Sequence, residues 1–162
     1  MNLLRTNRVG DIYFYHLTRQ NVSQALSPLL EKCLSNNWRV VIRGQDLDQL
    51  HELDDKLWQG DDDAFLPHGL AGSLGDADQP ILLALKGQTY PHDCLICISG
   101  APILQKEVAA AKRVCILFQD DNSEDMQTAR GQWKSLTKAG FAAKYWSQSN
   151  GNWELQAEKT AV

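Results

Sequence analysis

The chain has 162 residues, a formal net charge of −4 and an ordinary globular composition, with 43% hydrophobic and 22% charged residues. This length is typical of one domain that buries about two thirds of the surface of its unfolded chain. Phosphate binding needs a basic surface, so the charge argues against general affinity for nucleic acid. No apolar run approaches the roughly 20 residues of a membrane span. Residues 1–10 lack the apolar core of a signal peptide, and we therefore expect a cytoplasmic protein.

The first part of the chain alternates a predicted strand, a helix and a second strand. Residues 12–17 predict a strand because aromatic side chains suit a pleated surface. Residues 22–34 predict a helix from apolar spacings of three and four. Pro28 interrupts this pattern, and an interior proline costs roughly 3 kcal/mol. We therefore predict that the helix starts afresh with Ser27 as its cap, and that residues 39–43 form the next strand.

The next predicted helix leads into an acidic and glycine-rich loop. Four leucines at helical spacing share one of its faces, namely Leu47, Leu50, Leu53 and Leu57. Asp46 followed by Gln49 predicts a capping box at the start, and Gly60 is the expected end. Trp58 and Phe65 stand at the edges of the loop that follows. Loops lie on the surface, so these two aromatic side chains either anchor the loop to the core or face a partner.

The second half of the chain continues the alternation. Three apolar runs predict strands that are buried on both faces, at residues 81–85, 95–98 and 114–118. Two helices are predicted, at residues 103–111 and 123–138. Ser123 is the expected cap of the second helix and Gly140 its end. Asn150-Gly151 predicts a hairpin turn between strands at 141–146 and 153–156.

This pattern predicts the fold class. Alternating strands and helices indicate a single three-layer α/β domain with a largely parallel sheet, right-handed crossovers and a C-terminal strand hairpin. We assign the domain to residues 11–156. Residues 1–10 are then an N-terminal extension, and residues 157–162 a flexible tail.

The sequence contains no complete motif for catalysis or cofactor binding. A parallel α/β domain suggests nucleotide binding, yet the sequence lacks a G-x-x-x-x-G-K-[ST] loop, and Gly69, Gly72 and Gly75 do not fit G-x-G-x-x-G. His68 is a candidate catalytic residue, although loop histidines more often make hydrogen bonds or face solvent. Cys94 and Cys97 have the spacing of a metal or redox pair, but residues three apart on a strand point to opposite faces. We expect no cofactor and no metal.

The helix at residues 123–138 carries two adjoining stripes. The apolar stripe consists of Met126, Ala129, Trp133, Leu136 and Gly140, and the basic stripe of Arg130, Lys134 and Lys138. A row of cations beside an apolar groove suits an acidic peptide with a hydrophobic end, whose carboxylate pairs with Arg or Lys. The alternative is a solvated face above a buried stripe.

Several motifs occur together in the order found in one known family. The longest is Leu53-Asp54-x-x-Leu57-Trp58, an acidic spacer, and then Phe65-Leu66-Pro67-His68-Gly69-Leu70-Ala71-Gly72. The others are Phe14-Tyr15-His16-Leu17, Trp38-Arg39-Val40-Val41-Ile42, Ala129-Arg130, Trp133-Lys134 and Ala139-Gly140-Phe141. This ordered set, over roughly residues 11–146, resembles the chi subunit of bacterial DNA polymerase III. The resemblance implies a mononucleotide-binding-like α/β fold.

The resemblance also implies a function and two sites. In that family the subunit is non-catalytic and links the clamp loader, through its psi subunit, to single-stranded DNA-binding protein, so contact with DNA is indirect. The residues that match the site for the acidic, phenylalanine-terminated tail of that protein are Arg130, Trp133, Lys134, Gly140 and Phe141. The residues that match the psi-binding segment are Trp58, Phe65, Leu66 and Pro67. Glu124, Asp125 and Thr137 make the helix less basic than the family implies. The alternative function is an α/β enzyme that binds a nucleotide or small cofactor.

Overall fold

The computed structural model describes residues 10–59, 66–72, 75–88, 90–149 and 152–162. Its strands are β1 (Asp11–Leu17), β2 (Val40–Gly44), β3 (His68–Leu70), β4 (Ile81–Leu85), β5 (Cys94–Cys97), β6 (Arg113–Gln119), β7 (Ala143–Ser149) and β8 (Asn152–Lys159). Its α-helices are α1 (Val22–Ser35), α2 (Leu47–Trp58), α3 (Gln105–Ala110) and α4 (Ser123–Lys138). A short 3-10 helix spans Asp76–Asp78.

The eight strands form one sheet in the order β3-β4-β2-β5-β6-β1-β7-β8. Neighbouring strands are parallel except for β7 and β8, which pair antiparallel as the predicted C-terminal hairpin. The predicted fold class is therefore confirmed. The short edge strand β3 was not predicted, because its two small or polar residues, His68 and Gly69, interrupt any apolar pattern.

Two hydrophobic cores lie on opposite faces of this sheet. Along β1, Ile12 and Phe14 contribute to one core while Leu17 contributes to the other. The buried faces of α1 and α2 join the core of Leu17, and those of α3 and α4 join the core of Phe14. This arrangement gives the predicted three layers. Cys94 and Cys97 lie in different cores, as their strand spacing predicts.

Helix α1 is continuous through Pro28, so the predicted fresh start at Ser27 is wrong. The reason is a capping box further upstream. The Asn21 Oδ1 atom accepts a hydrogen bond from the Gln24 amide at 2.9 Å, and the Gln24 Oε1 atom accepts one from the Asn21 amide at 3.0 Å. Leu26 and Leu30 are fully buried on either side of the proline. Burial of these side chains offsets the missing proline N–H donor.

Three predictions about where helices and strands begin or end also differ from the structure. Asn122 caps α4, one residue before the predicted Ser123, because its side chain reaches the Asp125 amide at 3.0 Å. Asp46 caps α2 through the Asp48 amide, not through a capping box with Gln49. Strand β8 continues through Lys159, so three residues assigned to the flexible tail belong to the sheet. The expected helix end at Gly60 lies outside the described residues.

A buried ion pair joins β2 to α3. The Arg43 side chain is 5% exposed, and its Nη1 atom donates to Glu107 Oε1 at 2.9 Å and to the Pro102 carbonyl at 3.1 Å. Its Nη2 atom donates to Glu107 Oε2 at 2.5 Å. The hydrogen bonds from Arg43 hold the pKa of Glu107 below its usual range. Loss of Glu107, whose own side chain is 19% exposed, would leave the Arg43 guanidinium as a buried charge.

We expect Glu107→Ala to lower the free energy of unfolding by about 3–5 kcal/mol, measured by urea denaturation at neutral pH, because it leaves the buried Arg43 unpaired. The stabilisation is present above the unfolded pKa of Glu107 and is lost as the pH falls through the depressed folded pKa. Lys56→Ala is the control, since Lys56 forms an exposed pair with Glu52 at 3.6 Å, worth less than about 1 kcal/mol. Equal losses in the two variants would contradict this account.

Candidate functional site

Helix α4 places its two stripes as the sequence predicts. Ala129 and Leu136 are buried at 2% and 3% exposure, and Trp133 is partly buried beside them. Arg130 and Lys134 are exposed. They lie one helical turn apart and flank Trp133. The second half of α4 therefore presents two cations along the edge of an aromatic side chain.

A groove lies between α4 and the hairpin formed by β7 and β8. Its volume is about 620 Å³, and it is lined by Arg130, Gly131, Trp133, Lys134, Tyr145, Gln156 and Ala157. This size falls within the range typical of ligand sites. A Cβ atom added to Gly131 would meet no atom within 4 Å. Glycine therefore leaves free space at this part of the groove.

A cluster of aromatic rings fixes the position of Trp133. Its ring centroid lies 5.3 Å from that of Phe14 on β1 and 6.1 Å from that of Tyr145 on β7, both in edge-on geometry. Phe118 on β6 lies 5.9 Å from Tyr145 and stacks on His16 at 4.9 Å. Edge-on aromatic pairs are worth about 0.5–1.5 kcal/mol beyond the area that they bury. The aromatic cluster thus holds α4 against three strands of the sheet.

Two of the five residues assigned to the tail site do not line this groove. Gly140 follows α4 with a φ of +100°, where glycine is favoured, and its carbonyl accepts a hydrogen bond from the Val162 amide at 3.0 Å. Phe141 is partly buried against the core, and its ring lies close to Gly10. Both residues therefore occupy the turn from α4 to β7, while Arg130, Trp133 and Lys134 lie together in the groove.

The residues that the sheet supplies to the groove were not predicted from the sequence. Tyr145 lies on the same face as Ala143, which is buried beneath α4 in the core that contains Phe14. A strand pattern extended through β7 could have identified it. Gln156 and Ala157 were expected at the end of the last strand and in the tail, where no pattern places them beside α4. Their contribution follows from the antiparallel pairing of β7 with β8.

The second predicted site combines exposed and buried residues. Trp58, the last residue of α2, is 53% exposed, and its ring lies 4.1 Å from that of His68. Leu66 is 4% exposed and belongs to the core, while Pro67 is partly exposed. Phe65 lies outside the described residues. Trp58 and Pro67 thus have accessible surface, whereas Leu66 supports the segment from below.

The side chain of His68 is buried and hydrogen-bonded on both ring nitrogens. It is 3% exposed, its Nδ1 atom lies 2.5 Å from the Leu66 carbonyl, and its Nε2 atom lies 3.2 Å from both the carbonyl and the carboxylate of Asp54. The hydrogen-bonding interpretation of this histidine is confirmed. Its ring fixes the segment before β3 against α2, which is the segment that carries Leu66 and Pro67.

In α/β enzymes, ligands bind at the carboxyl ends of the parallel strands. Two cavities at these strand ends are smaller than the groove between α4 and the hairpin. One has a volume of about 140 Å³ and includes Asn21, Ile98 and Ser99, and another of about 350 Å³ includes Asp120 and Asp121. Within the described ranges, no three His, Cys, Asp or Glu side chains come together in a way that could hold a metal ion. The same ranges contain no helix that is both long and apolar enough to cross a bilayer.

The fold and groove define a class of protein: an α/β domain with a groove of about 620 Å³ that combines arginine, lysine and aromatic side chains. A family model described as "DNA polymerase III chi subunit, HolC" matches residues 10–144, and the chain belongs to that family. A relative from Rickettsia prowazekii (strain Madrid E), named "Probable DNA polymerase III subunit chi", is 27% identical over 105 residues. The match covers 65% of this chain and 63% of the relative, which is less than two thirds of the relative's length.

We expect Leu66→Ala to lower the free energy of unfolding by about 2–5 kcal/mol, because truncation of a buried leucine removes apolar contacts and leaves a cavity. Leu47→Ala is the matched control, since Leu47 is 52% exposed and its truncation should change stability by about 0.5 kcal/mol. Urea denaturation of the two variants measures the difference. A small loss for Leu66→Ala would show that this leucine belongs to a surface patch.

Proposed function

We propose that this chain is a non-catalytic accessory subunit of the DNA polymerase III holoenzyme, and that the groove of α4, β7 and β8 binds the acidic C-terminal tail of single-stranded DNA-binding protein. The observation that carries this proposal is the presence of Arg130, Trp133 and Lys134 in one groove of about 620 Å³. Contact with DNA is then indirect, which agrees with the net charge of −4. A cytoplasmic location belongs to the same proposal.

The chemistry of the groove matches a tail that ends in phenylalanine. The terminal carboxylate pairs with the guanidinium of Arg130 or the ammonium of Lys134, because both cations border the groove. The phenyl ring enters the space beside Trp133 and Tyr145. The acidic residues further up the tail lie in the field of the same cations.

The acidic residues of α4 are separated from this site along the helix. Glu124 and Asp125 lie in the first turn of α4, where carboxylates interact favourably with the helix dipole. Arg130 and Lys134 lie one and two turns further on. The lower basic character of the helix therefore does not remove the positive charge beside the groove, although it reduces the longer-range attraction.

Arg130→Ala should weaken binding of a phenylalanine-terminated acidic peptide by about ten- to a hundredfold, since one charge-assisted contact is worth about 1.5–3 kcal/mol. The measurement is a calorimetric or fluorescence titration at low and high salt, and salt should weaken the complex. Lys138→Ala is the matched control: it removes the same charge from the same helix, at a residue that does not line the groove.

Equal affinity of the wild type and Arg130→Ala would refute the groove as the tail site. Binding that does not depend on the terminal phenylalanine, tested with a peptide that lacks it, would refute the assignment of the phenyl ring to the space beside Trp133.

We further propose that the psi subunit of the clamp loader binds at the segment that contains Trp58, Phe65, Leu66 and Pro67. The support is the exposure of Trp58, which is 53% at the end of a helix. Tryptophan is enriched among the residues that contribute most to protein interfaces. In this proposal Leu66 holds the segment in place, while Trp58 and Pro67 make direct contact.

Trp58→Ala should weaken assembly with the psi subunit by about 2 kcal/mol or more, as expected for an interface tryptophan, while the melting temperature changes little. Capture of the psi subunit by the purified variants measures assembly. Leu155→Ala is the control, because Leu155 is 45% exposed on β8, far from β3 in the sheet. A large loss of stability with assembly intact would make Trp58 a structural residue.

A further inference from the structure

Tyr145 connects the groove to a row of hydrogen-bonded side chains. It lines the groove beside Trp133, and its hydroxyl lies 2.9 Å from the Nδ1 atom of His16 on β1. The Nε2 atom of the same histidine lies 2.8 Å from the Oδ1 atom of Asp120, directly after β6. Asp120, His16 and Tyr145 therefore form one continuous chain of polar contacts, and its last residue, Tyr145, lines the groove.

The donor and acceptor roles in this row follow from its chemistry when His16 is neutral. The Asp120 carboxylate can only accept a hydrogen bond, so the histidine proton must be on Nε2. The Nδ1 atom then carries a lone pair, and the hydroxyl of Tyr145 must donate its proton to it. In this state the phenolic oxygen offers only lone pairs to the groove, and these repel a carboxylate.

Protonation of His16 reverses the last hydrogen bond. Both ring nitrogens now donate, with Nε2 donating to Asp120 and Nδ1 donating to the oxygen of Tyr145. The hydroxyl of Tyr145 keeps its proton but no longer donates it to His16. It can therefore donate a hydrogen bond to an acceptor in the groove. Burial raises the pKa of Tyr145 above its usual range, although Arg130 lowers it in part. The hydroxyl therefore keeps its proton at every pH where histidine titrates.

The surroundings of His16 hold its ring in place through this change. The ring stacks on Phe118 with centroids 4.9 Å apart and an interplanar angle of 21°, and it meets Tyr145 edge-on. The His16 side chain is 15% exposed, whereas Asp120 is 58% exposed. Among the described residues, the charged groups that contact His16 or act on Tyr145 are Asp120 and Arg130.

We propose that Tyr145 is a carboxylate-binding residue of the groove and that His16, held by Asp120, is the positioning residue that decides whether its hydroxyl donates to the bound tail. This inference rests on the proposed function of the groove. It predicts that the tail binds more tightly as His16 becomes protonated. By linkage, a bound tail carboxylate must also favour the protonated form of His16 to the same extent.

The test is titration of the phenylalanine-terminated acidic peptide at about pH 8 and about pH 6, the range in which histidine changes charge. The peptide carboxylates remain ionised throughout, since their pKa values lie near 4. We expect the wild type to bind about tenfold more tightly at the lower pH, as one added hydrogen bond to a charged group would give. Tyr145→Phe and His16→Gln should show no such dependence. His51→Gln is the control, because His51 is exposed on α2 and should leave the pH effect unchanged.

The state of the histidine provides a second measurement that does not require binding. Nitrogen NMR of the imidazole in the free protein should show the proton on Nε2 of His16 at the higher pH, and Nδ1 as the hydrogen-bond acceptor. Tyr145→Phe should alter the Nδ1 signal of His16. A proton on Nδ1 at high pH would contradict the assigned direction of the Tyr145 hydrogen bond and overturn the inference.

The binding outcomes separate this inference from the proposed function. If the wild type binds the peptide at neither pH, the proposed function fails, and the inference fails with it. If binding depends on Arg130 but shows the same pH dependence in Tyr145→Phe as in the wild type, the tail site stands and the role of Tyr145 is wrong. Loss of the pH effect in both Tyr145→Phe and His16→Gln, with His51→Gln unchanged, supports the inference.

Discussion

Trp133 packs edge-on against Phe14 of β1 and Tyr145 of β7, and the geometry of the groove depends on this contact. The two rings fix the rotation of α4 about its own axis. Because Arg130 lies three residues before Trp133 and Lys134 directly after it, the same rotation sets the direction of both cations. A change in how Trp133 packs would therefore move the charged edge and the aromatic surface of the groove together.

The sheet order places the two proposed sites far apart. Strand β3, next to the segment with Leu66 and Pro67, is one edge of the sheet, and β8, which lines the groove, is the other. Neighbouring strands are about 4.8 Å apart, so eight strands separate the edges by roughly 30 Å. The two proposed sites therefore do not compete for the same surface. This separation is what an adaptor between two proteins requires.

The sequence predicted those features that depend on local periodicity. The stripes of α4 and the strands buried on both faces follow from spacing alone, and the structure confirms them. The errors occur where a contact distant in sequence, or a specific cap, overrides the local signal. Pro28 indicates a break, yet the cap at Asn21 and the burial of Leu26 and Leu30 keep α1 continuous. Strand β3 forms because β4 offers a free edge to a segment with no strand pattern of its own.

For the same reason, the residues that α4 supplies to the groove could be predicted, whereas those that the sheet supplies could not. Arg130, Trp133 and Lys134 share one helix and one spacing, so a single-sequence pattern brings them together. Tyr145 and Gln156 reach the groove through the pairing of β7 with β1 and with β8, which no local pattern specifies.

The central claim is that an acidic, phenylalanine-terminated tail binds in the groove beside Trp133. The most direct measurement is the indole N–H signal of each of the five tryptophans in nitrogen–proton NMR spectra of the full chain during titration with the tail peptide. The account predicts that the signal of Trp133 shifts on binding, while the signals of Trp38 and Trp58, which lie outside the groove, do not. An unchanged Trp133 signal at saturation, with a shift at Trp58 instead, would contradict it.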